Sequence, residues 1–483
     1  MKKVTVNYIF SIIFQLLNII LPLITTPYIS RTLGVANIGY NSYITSIVNY
    51  FTLFAMLGTN IYGQREIGAH QNDKVQCSYI FFRVVIIKLI FGIAVSFIYA
   101  LVTFYLFKDF FLLFIIRYLS LATVILDISW FFQGLENFKI TVVRQIIVKI
   151  IAVSCIFLFV KSENDLSKYM LIDGGLAFVG TITIYSYLPK YLTKIKIKEI
   201  NLFSDFKGMI SLFIPQIATS LYAIIDKTMI GYYYSSGLES GYYEQAYKIE
   251  MIGICIVVAL TNVLIPRLAL YYQNKMKKEL LATIKQAIDY IIFVGMPLSF
   301  GISSICYNVL PWFLGPGYEK SCDVLCVTAF LILIIGLTNF WGFAYLVATK
   351  QSKTYTKSVC LGTIINFCIN LILIPKLAAL GAAIASISSE IAVLLYQTKI
   401  INKQIDLKAI YKGKIKYIFI SILMWCIVLW LSKELESNIK NSIYIIAIGV
   451  GVYGGGLALM HDEYLFEIIN KTKKLLCKNR RIK

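Results

Sequence analysis

Charge is scarce in this sequence. Of 483 residues only 15% are Asp, Glu, Lys or Arg while 58% are apolar, and a water-facing surface for a chain of this length cannot be built from so few charges. Histidine is scarcer still: His70 and His461 are the only two. His70 falls in an expected cytoplasmic loop and His461 at the tail, neither with a catalytic partner nearby in sequence, so both read as solvated histidines and no catalytic residue is assigned. The ten cysteines lack both metal-ligand spacing and a paired framework. Cys155, Cys255, Cys306, Cys360, Cys368 and Cys426 lie in apolar runs, as small packing residues do, and neither a metal site nor a bound cofactor is expected. Alternation of apolar and polar residues is absent too; runs such as Ile443 to Leu459 are apolar on consecutive positions, which argues against a transmembrane barrel. No small-residue cleavage site follows the apolar run from Tyr8 to Ile29, so that run is expected to remain as a first membrane span.

What is present is a succession of apolar runs of a length that crosses a hydrocarbon core of about 30 Å. The pattern predicts an all-α polytopic membrane protein of about fourteen transmembrane helices. The spans lie near residues 8–30, 38–58, 79–107, 110–132, 141–160, 169–189, 209–232, 246–271, 284–307, 324–349, 355–375, 381–400, 415–432 and 441–460. Their grouping predicts an N-terminal six-helix bundle (1–192), a basic cytoplasmic linker (193–208), a second six-helix bundle (209–400), two extra helices (401–460) and a basic tail (461–483). The two bundles are expected to be related by a pseudo-two-fold axis, a plan that places the substrate route between halves. Sequence supports the duplication: Gly34 then Gly39-Tyr40 after the first span is matched by Gly231 then Gly241-Tyr242 after the seventh.

The excess of Lys and Arg, 46 against 25 Asp and Glu, is read by location. Basic residues concentrate in alternate loops on the side of the N-terminus, with the richest segments at Lys190 to Lys207, Lys399 to Lys416 and Lys471 to Lys483. This bias predicts a cell-membrane protein with both termini cytoplasmic, its basic segments resting on anionic headgroups, and argues against nucleic acid as a partner.

Polar residues inside spans mark faces that avoid lipid. Ser11, Gln15 and Asn18 form one helical stripe, Asn41, Thr45 and Asn49 a second, and Gln216, Ser220 and Lys227 a third; they line a cavity or glue helices together. Ionisable residues cost more, about 2.5 to 3.5 kcal/mol for Asp, Lys or Arg at a span centre. The spans carry Arg83, Lys88, Arg117, Asp127, Lys149, Asp173, Asp226, Lys227, Lys248, Glu250 and Glu390. Cations outnumber acids among them, which suits a wet cavity that takes an anion such as a pyrophosphate. Arg83, Arg117 and Lys248 lie near span ends, where snorkelling to an interface explains them equally well. Asp226 and Glu390 are candidates for titrating or holding a cation during transport, and Asp226 could instead neutralise a neighbouring Lys.

Four stretches carry a resemblance. Pro27 to Gly34, Trp130 to Lys139, Asp226 to Gly231 with Gly241 to Ala246, and Asn366 to Pro375 with Gly381 to Ala385 and Glu390 resemble the polysaccharide-transporter branch of the MOP flippase superfamily. The resemblance implies an O-antigen, capsule or exopolysaccharide repeat-unit flippase of the Wzx type. Such a protein passes undecaprenyl-pyrophosphate oligosaccharide from the cytoplasmic to the outer leaflet by alternating access, coupled to H+ or Na+ antiport. It works beside a polysaccharide polymerase and chain-length proteins. The resemblance adds Arg31 to the candidates. The expected lumen residues are thus Arg31, Arg83, Lys88, Lys149, Lys227, Lys248, Asn41, Asn49 and Gln216, with Asp226 and Glu390 for ion coupling. A lipid II flippase or a multidrug cation exporter shares the expected fold; the exporter calls for an acidic lumen. A membrane glycosyltransferase or polymerase requires a sizeable catalytic loop, which the sequence lacks.

Overall fold

A computed structural model of the chain describes residues 2–196, 202 and 206–470. Most of the expected linker beyond residue 196, the tail from residue 471 onward, and the side chains of Ser11, Gln15 and Asn18 lie outside the described residues. The described residues are helical with no strand, as a chain in lipid must be if each backbone amide is to be satisfied within its own segment. They form two units, Met1–Gly241 and Tyr242–Lys483.

In the first unit, α1 (Lys2–Met56) is a long helix broken at Gly34, whose φ of 74° and ψ of 170° leave the helical region. Glycine carries this backbone without a Cβ penalty. A tight left-handed turn at Gly58 then opens α2 (Thr59–Ala69). Next come α3 (Lys74–Leu106), α4 (Phe111–Leu126), the short α5 (Ser129–Gly134), α6 (Phe138–Phe159), α7 (Leu166–Thr183) and α8 (Phe206–Tyr233). Asp73 caps α3, its carboxylate accepting from the backbone N–H of Val75 and Gln76 at 2.9 and 3.0 Å. Helix α1 packs against α3, α4, α6 and α8. Beneath this, α5 turns Trp130, Phe131 and Phe132 wholly inward, the first two against Phe81 and the third against Tyr191. The Trp130 to Glu136 run is therefore core rather than ligand surface over its aromatic part, and Gly63 of α2 is the close-approach position that admits the indole.

Helix α9 (Leu238–Gln273) starts in the first unit and enters the second at Tyr242; the second unit continues with α10 (Lys277–Leu314), α11 (Glu319–Thr328), α12 (Leu331–Thr338), a π-helical turn at Asn339–Leu346, α13 (Ser352–Ile401), α14 (Leu407–Tyr411), α15 (Ile415–Glu434) and α16 (Ile439–Leu459). Helix α13 breaks at Ala378, at φ 51° and ψ −129°, three residues after Pro375. Helices α15 and α16 are fastened to α10 at both ends. At one end the buried Asn308 side chain donates to the carbonyls of Leu435 and Glu436 at 3.0 and 3.2 Å and accepts from Ser442 at 2.7 Å. At the other end Lys414 pairs with Asp289. There Asp462 also accepts from Lys416 at 2.6 Å, from Tyr417 at 2.7 Å and from the Leu465 amide at 2.8 Å.

Among the described residues, eleven helical stretches are long and apolar enough to cross a membrane, where fourteen spans are expected from the sequence. The expected first and second spans run into one another through the bend at Gly34, and the eleventh and twelfth through the bend at Ala378; α8, over the expected seventh span, is not among the eleven. Large apolar side chains point outward along the spans, with Phe97 66% and Val450 68% exposed, the arrangement lipid requires and water penalises.

Candidate functional site

The interior of the first unit is crossed by a polar network. Helix α4 stops at Asp127, whose carboxylate accepts from the Ser129 amide and hydroxyl at 3.1 and 2.6 Å and so starts α5. The break frees the Asp127 carbonyl, and Lys88 of α3 donates to it at 2.7 Å and to Asn60 of α2 at 2.9 Å. Lys88 is only 2% exposed; it ties three helices together from behind the cavity wall. Arg117 of α4 donates to Asp173 of α7 at 2.6 Å, and its Nε and Nη2 donate to Thr45 of α1 at 3.0 and 2.8 Å. Arg144 of α6 reaches the Gly180 carbonyl of α7 and the Ser129 hydroxyl. A charged donor makes such bonds about twice as strong as neutral ones, so each guanidinium fixes the spacing of the helices it joins.

These groups surround a cavity of about 440 Å³, within the usual size of a small-ligand site. Asn60, Asp127, Arg144, Gln145, Lys149 and Asp173 give it its polar lining. Its α6 wall is residues 144, 145, 148, 149 and 152, one helical face at steps of three and four. Four basic side chains, Lys88, Arg117, Arg144 and Lys149, are grouped here with two carboxylates, Asp127 and Asp173. Arg144 and Lys149 line the cavity with Asp127 and Asp173, and the excess of two basic groups comes from Lys88 and Arg117 behind the lining.

Of the residues expected from the sequence, Lys149 lines this cavity and Lys88 backs it. Asn41 sits half-buried on α1 with its Oδ1 enclosed and without a hydrogen-bond partner, whereas Arg31 and Asn49 on the same helix are exposed. Arg83 is half-buried on α3. On α8, Gln216 and Lys227 are half-buried and Asp226 is buried; the next residue, Thr228, donates to Ser46 of α1 at 2.9 Å. Lys248 lies in the second unit, 3.9 Å from Glu244 on the same helix, near the buried Glu250. Glu390, also in the second unit, accepts from Thr338 at 2.8 Å. Arg144, Gln145 and Asn60 were not singled out from the sequence. An arginine within an apolar span, five residues from Lys149, was the available signal for Arg144.

The second unit holds a cavity of a different kind, about 570 Å³, between α10, α15 and α16. Its walls are apolar side chains such as Phe293, Pro297, Ile305, Met424 and Val428, with Gly449 and Gly454 keeping α16 thin on that side.

The polysaccharide biosynthesis protein family matches residues 4–271, more than half of the chain. The chain belongs to this family. It is 25% identical over 393 residues to a protein of Shigella dysenteriae described as a candidate O-antigen transporter, covering 80% of this chain and 96% of that one. Among solved structures, the lipid II flippase MurJ in an inward closed conformation superposes with a TM-score of 0.75 at 15% identity, over 95% of this chain and 100% of that one. An inward-facing multidrug resistance MATE family transporter of the MOP superfamily superposes with a TM-score of 0.64 at 12% identity, over 81% and 95%. This member of the polysaccharide biosynthesis family thus has the multi-pass helical fold of the MOP superfamily, and the proteins it resembles are transporters and flippases rather than enzymes.

Proposed function

We propose that the protein is a flippase that carries undecaprenyl-pyrophosphate-linked oligosaccharide from the cytoplasmic to the outer leaflet of the cell membrane, for O-antigen, capsule or exopolysaccharide synthesis. The observation that carries this reading is the 440 Å³ cavity of the first unit, with two more basic groups than acids around it. Charge in a membrane interior is costly, and an anion beside Arg144 and Lys149 lowers that cost. A pyrophosphate presents several charge-assisted acceptors to the guanidinium and ammonium donors of Arg144 and Lys149. The same excess of basic groups disfavours a cationic drug as cargo.

Asp226 and Glu390 are the groups for H+ or Na+ coupling in this reading. Each is a carboxylate within a span, and Glu390 has Thr338 beside it to keep a hydrogen bond in either protonation state. Both termini are cytoplasmic, as the basic loops require, and a polymerase with its chain-length protein receives the product. The experiment is a leaflet assay: purified protein in vesicles with a fluorescent undecaprenyl-pyrophosphate oligosaccharide in one leaflet, scored by the fraction a membrane-impermeant reagent reaches. Transport by wild type and its loss in Lys149→Ala supports the reading. Equal rates in protein-free vesicles contradict it.

A further inference from the structure

We infer that a second cavity of the first unit is a saccharide-binding shelf, at the end of the bundle opposite the basic loops. It rests on the flippase reading for the source of its ligand and is tested apart from it. Three segments meet there: α1 beyond Gly34, the turn Phe107–Phe110 between α3 and α4, and the stretch from Gly231 near the end of α8 to Ser240 in the first turn of α9. Glycines allow the approach. A Cβ at Gly39 would strike the Gly237 carbonyl and the Gly241 amide, one at Gly241 would strike the Val35 carbonyl, and one at Gly231 would strike the Tyr43 ring. The two Gly-Tyr segments that mark the expected duplication are thus partners in space as well as in sequence.

The cavity measures about 380 Å³ and is walled by Tyr40, Tyr43, Phe107, Phe110 and Tyr232, with Asp109 at its rim. Tyr40 and Phe110 meet at 5.1 Å between ring centres, and Tyr43 and Phe107 at 6.4 Å edge to face; Tyr232 stands 74% exposed. At the wall lies Ser240, itself 2% exposed, whose hydroxyl oxygen is buried without a hydrogen-bond partner. A buried polar group normally has a partner, and an orphan costs about 1 to 3 kcal/mol.

The lining selects among ligands. A pyranose offers an apolar C–H face to aromatic rings and a rim of hydroxyls to a carboxylate and a serine. An anion is repelled by Asp109, and an acyl chain leaves Asp109 and Ser240 unmatched. A quaternary ammonium matches the rings and Asp109 but gives the Ser240 hydroxyl nothing to bond. Aromatic residues of an interfacial belt face lipid one by one, whereas these converge on a single concavity beside a carboxylate.

The test uses the full chain in nanodiscs of phosphatidylethanolamine and phosphatidylglycerol. The probe is the oligosaccharide released by mild acid from the lipid-linked pool of the strain that carries the gene. Binding is read by saturation-transfer NMR for wild type, Tyr40→Leu and Asp109→Asn, with undecaprenyl pyrophosphate binding and thermal unfolding as controls for the fold. The expected result is saccharide binding by wild type and a loss of about tenfold or more in both variants, with carrier binding unchanged. If the variants bind the saccharide as wild type does, or if tetramethylammonium binds the wild type while the saccharide does not, the shelf is not a saccharide site. The leaflet assay on wild type then decides the flippase reading separately.

Discussion

Lys88 and Lys149 are both lysines within apolar runs, and the sequence gives no ground for separating them. The structure does. Lys88 spends two of its three donors on Asn60 and Asp127 in a fully enclosed position, while Lys149 lines the cavity. Removing Lys88 leaves buried acceptors without a donor, so Lys88→Ala is expected to destabilise the protein by about 3 kcal/mol, measured by thermal unfolding in detergent. Lys149→Ala is expected to leave the unfolding midpoint nearly unchanged and to abolish transport. Asp462 gives a pH prediction. Burial raises its carboxyl pKa, but Lys416, the Leu465 amide and Tyr417 together lower it further, and the net direction is down. Its folded pKa lies below its unfolded value, so its contribution is complete above the ordinary carboxylate range, near pH 4. That contribution is lost as pH falls through the lowered value. The difference in midpoint between wild type and Asp462→Asn is expected to be constant from pH 8 to 5 and to shrink below pH 4.

At the scale of elements the apolar runs were readable, because a span of continuous apolar residues has few alternative structures in lipid. Joins between spans were less so. Gly34 and Ala378 leave the helical region inside α1 and α13, and hydropathy carries no record of where the backbone breaks. Close approach of helices was also hidden: Gly39 and Gly241 read as turn glycines, yet their missing Cβ atoms are what let the two segments touch. Gly39→Val is expected to cost about 1 to 3 kcal/mol through overpacking and to lower the yield of folded protein. Gly455→Ala, on α16 where nothing lies within 4 Å, is expected to leave yield and unfolding midpoint unchanged; a loss as large as that for Gly39→Val argues against the packing account.

On the scale of the whole molecule, composition placed the chain in a membrane. What composition could not give is which intramembrane charges share one cavity, since that depends on how α2, α4, α6 and α7 pack side by side. Arg144 and Asn60 joined the candidate site only through that packing, and Arg31 and Asn49 proved exposed. The central claim is that excess positive charge in the first unit binds the pyrophosphate of a lipid-linked glycan. Its most direct measurement is the affinity of the purified protein for undecaprenyl pyrophosphate, compared with undecaprenol, for wild type and for Arg144→Gln with Lys149→Ala. The account predicts that wild type prefers the pyrophosphate by about a hundredfold and that the double variant loses this preference while keeping its affinity for the alcohol. Equal affinity of wild type for both lipids would contradict it.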